Sequence, residues 1–161
     1  MHILNRWIKV LCIGVCSLLL TACLSTQGLS KKQVKFLQKE GFVLTDDGWS
    51  LGLPENLLFE FNESELNPKY QDEIVRLARQ LTHYKLYKLK VVGHTDDVGK
   101  PEYNLELSEN RAQSVSQLFF QNGFSANNVQ VLGRGAEQPL VPNDSDENRS
   151  LNRRVAVVII P

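Results

Sequence analysis

Near the end of the chain, Val155 to Ile160 is apolar without interruption. A strand with one wet face alternates apolar and polar residues, so a branched run lacking that alternation reads as a central strand covered on both sides. The rest of the chain must therefore supply a sheet and the layer that covers it. Leu57 to Phe61 reads as a first strand, and the loop Asn62 to Leu66 leads to Asn67-Pro68, an N-cap followed by proline at the first helical position. Tyr70, Ile74, Leu77, Ala78, Leu81 and Tyr84 then mark one face of a helix of about four turns. Lys88 to Val92 and Val129 to Leu132 are further strands, a second helix lies between them up to Gly123, and a polar loop from Asn143 to Ser150 precedes the final strand from Arg153 to Ile160. This order predicts an α+β fold with helices on one face of a mixed sheet. The 161 residues suit one domain plus extras, and no internal repeat or low-complexity segment appears.

The stretch with the most chemistry runs from Gly93 to Val115. Strand Leu89 to Val92 enters a polar loop carrying Asp96, Asp97 and Gly99. Ser108 reads as the N-cap of the helix in which Ala112, Val115, Leu118 and Phe119 recur at helical spacing. On that reading Arg111 falls in the first helical turn, where free N–H groups favour anions. Asp96 stands at the strand end across the same loop. A carboxylate and a guanidinium so placed can grip a small zwitterion, the acid taking an ammonium and the planar fork a carboxylate.

The run Gly93-His94-Thr95-Asp96, then Tyr103-Asn104, then Leu107-Ser108-x-x-Arg111-Ala112 resembles the OmpA-like peptidoglycan-binding domain family. That resemblance implies an OmpA-C-like βαβαββ sandwich, here with an added N-terminal helix and small hairpin. It also implies that Asp96 and Arg111 hold the diaminopimelate of a cell-wall stem peptide, with Asn104 and Leu105 lining the pocket. Phe61 and Asn62 stand where the family often has Phe-Asp, so the charge of that aspartate is missing here. Arg149, Arg153 and Arg154 resemble the family's closing arginines, with Asn148 in place of a glycine; Arg153 either touches the ligand or braces the loop.

Residues 1–22 read as a leader rather than as part of the fold. Arg6 and Lys9 give a positive start, and Val10 to Leu20 is an apolar run short for a membrane span. Leu20-Thr21-Ala22-Cys23 resembles the lipobox of bacterial lipoproteins, which implies cleavage before Cys23 and acylation of it; an ordinary secretory signal and an uncleaved anchor are the alternatives. Each buried methylene of an acyl chain contributes about 0.8 kcal/mol, so three chains moor the protein firmly. Leu24 rather than aspartate follows the cysteine, which implies the periplasmic face of the outer membrane. Cys12 and Cys16 leave with the leader, so no thiol remains for a disulfide, metal or nucleophile.

Residues 23–29 form a lipidated tether, 30–54 a helix and hairpin, and 55–161 the domain. Ser30 caps a brief helix to Glu40 that Gly41 closes, and Asp46-Asp47-Gly48 turns a hairpin between Phe42–Leu44 and Trp49–Leu53. Val34, Phe36 and Leu37, with the aromatics Phe42 and Trp49, form a stripe that must rest on the domain, on a partner, or on each in turn.

Other chemistries fit poorly. Lys and Arg balance Asp and Glu at 18 each, with no basic stripe for a phosphate backbone, so nucleic acid is not a partner. His94 and Asp96 share a strand face but lack a third ligand, and no metal or other cofactor is expected. Asp96 has a nearer electrostatic role with Arg111 and a ligand than as a general acid. Ser108 has no base near it, which leaves no catalytic residue and binding without turnover.

The segments Gly28-Leu29-Ser30, Gly41-Phe42, Gly48-Trp49 and Leu53 through Leu58-Phe59 resemble the YfiB group of outer-membrane lipoproteins. That likeness implies capture of a periplasmic repressor of YfiR type, which frees a diguanylate cyclase of YfiN type. The alternative is a static tether between outer membrane and wall, as in the peptidoglycan-associated lipoproteins.

Overall fold

A computed structural model describes residues 28–60 and 62–161. Helix α1, Lys31–Lys39, opens with a reciprocal capping box in which Ser30 Oγ accepts from the Gln33 N–H and Gln33 Oε1 accepts from the Ser30 N–H. Strands β1 (Val43–Thr45) and β2 (Gly48–Pro54) form the hairpin, with Thr45 opposite Gly48 across the Asp46-Asp47 turn. A single helical turn, α2 (Glu55–Leu58), follows, and then α3 (Pro68–His83), capped by Asn67 with proline at its start. Strand β3 is Leu89–His94, helix α4 Pro101–Gln121 and strand β4 Val129–Gly133. Helix α5 (Asp146–Asn152), capped by Ser145, leads into strand β5 (Arg154–Ile159).

The five strands form one mixed sheet in the order β1-β2-β5-β3-β4. The apolar C-terminal run is its middle strand, antiparallel to both neighbours, while β3 and β4 run parallel. Val155, Val157 and Ile159 face the main core with Leu89, Val91, Val115, Phe119 and the α3 residues Ile74, Leu77, Ala78 and Leu81. Ala156 and Val158 face the other way and pack with Val92 and Leu132 in a small second cluster. Both faces of β5 are buried, as a run without alternation requires.

Three sequence expectations change. The strand expected over Leu57–Phe61 does not form across its described residues 57–60: β2 already fills that edge of β5 with six residue pairs, so residues 55–58 turn into α2 and Phe59 keeps only one isolated bridge, to Leu66. The hairpin is thus more than a preface to the domain, since its second strand lies inside the sheet. Ser108 is not an N-cap either. Helix α4 starts eight residues earlier, where Pro101 takes the first helical position after Lys100, so Arg111 lies in the third turn and owes nothing to free N–H groups. Part of the loop expected at 143–150 is α5.

Buried Ser108 serves a tertiary purpose instead. Its Oγ accepts the Gly135 N–H at 2.9 Å and donates to the Leu105 carbonyl at 2.7 Å. The helix lies directly on the sheet there, because a Cβ on Gly93 would collide with the Ser108 carbonyl. That close approach brings Arg111 to the sheet end where Asp96 stands.

Candidate ligand-binding cleft

Because β5 runs antiparallel to both β2 and β3, the C-terminal ends of those two strands and the N-terminal end of β5 meet at one end of the sheet. Pro54 pairs with Arg154, and so does His94. The residues just beyond, Glu55, Asp96 and Arg153, are therefore brought together from places far apart in the chain. They line a cleft of about 680 Å³ with Arg111, Asn104, Asn62, Phe59 and Arg149. That volume suits a small ligand with part of a chain attached.

The charged groups form a chain of four. Arg153 Nη1 donates to Asp96 Oδ2 at 2.7 Å, and its Nε donates to Glu55 Oε2, also at 2.7 Å. The other oxygen of Glu55, Oε1, lies 2.5 Å from Arg111 Nη2. Asp96 and Arg111 are thus the two ends of the chain, joined through Arg153 and Glu55. Burial works against the charge of Arg153, but its hydrogen bond to Asp96 and the charges of Glu55 and Asp96 hold its pKa above the ordinary arginine value.

Each end is fixed by its surroundings. Asp96 Oδ1 accepts the Val98 N–H at 3.0 Å, while Asn104 Nδ2 donates to the carbonyls of Val98, at 3.0 Å, and Asp96, at 3.3 Å. Asn104 therefore ties α4 to the loop that carries Asp96. Arg111 is 2 % exposed; its Nε donates to the Glu63 carbonyl at 2.9 Å, and its guanidinium lies 5.2 Å from the Phe59 ring centre. Its Nη2 finds no aligned acceptor, although Glu55 is close. The contact with Glu55 is electrostatic rather than a well-directed hydrogen bond.

Most sequence-predicted ligand residues reach this cleft. Asp96, Arg111, Asn104 and Asn62 line it, Asn62 from the left-handed region at φ 63°. Leu105 does not: its side chain is exposed, and Leu107 lines the cleft instead, because the earlier start of α4 sets which residues of the first turns face inward. Phe61 and Cys23 lie outside the described residues. Glu55 was missed and Arg153 left undecided in the sequence reading. A charged residue just past a strand end was the available signal, but it meant something only once β2 was known to pair with β5.

The stripe proposed for a partner is buried. Phe36, Leu37, Phe42 and Trp49 belong to the main core, and Val34 packs against it. Phe36 stacks on Tyr84 with ring centres 4.1 Å apart. In this state the stripe rests on the domain, the first of the placements open to it, with Val34 half-buried at its edge. Behind the cleft, His94 is buried opposite Arg154, and burial, then Arg154 and Arg134, lower its pKa to about 3. Among the described residues no group of three or more His, Cys, Asp or Glu is arranged to hold a metal ion.

A model of the OmpA family matches residues 58–153, more than half of the chain. Outer-membrane lipoprotein YfiB of Pseudomonas aeruginosa is 40 % identical over 132 residues, 82 % of this chain and 79 % of that protein. The crystal structure of a MotB-like protein from Desulfovibrio vulgaris superposes with a TM-score of 0.70 at 27 % identity, covering 80 % of this chain and 86 % of the other. That of the peptidoglycan-associated lipoprotein from Burkholderia pseudomallei gives 0.56 at 25 % identity, over 63 % and 86 %.

Proposed function

The chain belongs to the OmpA family, and from that premise we propose that it is an outer-membrane lipoprotein that holds peptidoglycan without covalent attachment, through the diaminopimelate of the stem peptide. Its place is the outer membrane, as for the YfiB lipoprotein it resembles. The observation that carries the reading is the charge chain at the sheet end, with an acid at one end and a buried guanidinium at the other. The free end of diaminopimelate bears an ammonium and a carboxylate on one carbon. Asp96 receives the ammonium, Arg111 and Arg153 receive the carboxylate, and Asn104 keeps the Asp96 loop in place. The cleft holds its ligand and does not turn it over. Cys23 is the proposed lipid anchor and residues 1–22 its leader.

Co-sedimentation with purified murein sacculi tests this. Arg111→Ala and Asp96→Asn should each reduce the bound fraction at least tenfold while circular dichroism stays that of the parent. Variants that pellet like the parent would sink the reading.

The likeness to YfiB favours a second role, because it reaches well beyond residues 58–153 toward the N-terminal segment. In this role the protein sequesters a periplasmic repressor of YfiR type and so relieves inhibition of a diguanylate cyclase of YfiN type. Release of the stripe through Pro54 would strip β2 from β5, so the cheaper opening is release of α1 alone. Failure of such a repressor to co-purify with the anchored chain would leave the static tether, the alternative role.

A further inference from the structure

We propose that the Glu55 carboxylate is an internal stand-in for the ligand's carboxylate, so that the cleft is occupied by the protein's own acid until ligand displaces it. This rests on the reading of the cleft as a site for a zwitterionic amino-acid end. Both oxygens of Glu55 are committed, Oε2 to Arg153 Nε at 2.7 Å and Oε1 against Arg111 Nη2 at 2.5 Å. These are the two guanidinium groups to which the proposed function assigns the ligand's carboxylate.

The fit of Glu55 is incomplete. Buried Arg111 Nη2 lacks an aligned acceptor even with Oε1 beside it, while Nε of the same guanidinium is already used by the Glu63 carbonyl. A donor buried without an aligned acceptor gains from any acceptor that meets it in line. Glu55 cannot do so freely, because it is the first residue of α2 and its own N–H is tied to the Arg153 carbonyl at 3.1 Å. A ligand carboxylate has no such restraint. On entry it takes Arg111 Nη2 and Arg153 Nε, beside the Asp96 that receives the ammonium, and Glu55 turns toward the cleft mouth.

Displacement lowers the affinity of the parent protein and makes the ligand's carboxylate essential, since an amine alone leaves Glu55 in place. Two probes separate these effects: a stem tripeptide ending in meso-diaminopimelate, and its lysine counterpart, which lacks the carboxylate at the side-chain end. Glu55→Gln keeps the size and removes the charge. Calorimetry should show it binding the diaminopimelate tripeptide about tenfold more tightly than the parent does, with less than a twofold change for the lysine tripeptide. Glu55→Asp, which withdraws the carboxylate by one methylene, should show a smaller gain and serves if the glutamine variant does not fold. In the parent, the side-chain carboxyl carbon of Glu55 should shift in NMR spectra on saturation with the first probe and not with the second. Unchanged or weaker binding by a folded Glu55 variant, with Arg111→Ala still abolishing binding to the parent, overturns this inference and leaves the wall-binding reading standing. Indifference of the parent to both the tripeptide and Arg111→Ala overturns both.

Discussion

The segment from Gly28 to Pro54 and the cleft that begins at Glu55 adjoin in sequence, yet different forces hold them. The first is held by the β2–β5 ladder and by apolar burial: Leu37, Phe42 and Trp49 are part of the same core as α3, α4 and β5. The second is a set of ion pairs in which each arginine has an acid beside it and each acid an arginine. Burial is non-directional, whereas charge pairing is directional and can be exchanged with a ligand. A change in the first region should therefore cost stability, and a change in the second should cost or alter binding with less effect on the fold. A single peptide bond, Pro54–Glu55, joins the two.

The sharpest way to break the comparison is Leu37→Ala. Leu37, on the inner face of α1, is fully buried, and truncating such a side chain costs about 2–5 kcal/mol in transfer energy and cavity formation together. Chemical denaturation should show that loss, while sedimentation with sacculi at low temperature stays near the parent's. Loss of sacculus binding in a still-folded Leu37→Ala protein would mean that the two regions are coupled more closely than separate forces allow.

Acid offers the next largest effect, on the cleft side. His94 has a folded pKa of about 3 against an ordinary 6.5, caused first by burial and then by Arg154 and Arg134. Between those values the unfolded chain binds a proton that the folded protein refuses. Stability is thus fully present above about pH 6.5 and is lost as pH falls toward 3, by on the order of 3 kcal/mol at pH 4. His94→Asn should flatten the decline measured between pH 6.5 and 4 relative to the parent. Parallel declines in the two proteins would remove the histidine from the account.

The same two regions differ in what their sequences disclose. Local patterns marked the interior strand at Val155, the Asn67-Pro68 start of α3 and the Ser30 cap, because each depends on residues a few positions apart. Asp96 and Arg111 were legible for another reason: a long motif surrounds them. Ser108 misled because a serine before an apolar periodic run has the chemistry of a cap, while its real partner is the Gly135 N–H, 27 residues on. Glu55 was hidden by distance. It meets Arg153 only because β2 pairs with β5, a contact across 98 residues that no window of sequence contains. Leu57, Phe59 and Phe61 alternate like a strand, but the edge of β5 they would need was taken by β2.

The smallest expected effect is at the ion pair that joins α1 to α3. Glu40, just past the end of α1, accepts from Arg76 Nη1 of α3 at 3.0 Å, and Arg76 is largely exposed. Exposed pairs contribute about 0.2–1 kcal/mol, so Glu40→Ala should hardly move the denaturation midpoint. The same fraction of a kcal/mol acts directly on the docking of α1, since the pair joins that helix to α3 and little else. If release of α1 is what a repressor of YfiR type captures, Glu40→Ala should raise the captured fraction by up to about fivefold, the shift that 1 kcal/mol makes in a two-state equilibrium. Capture equal to the parent's would mean that a partner does not draw on the undocked helix, and the apolar attachment would then be structural alone.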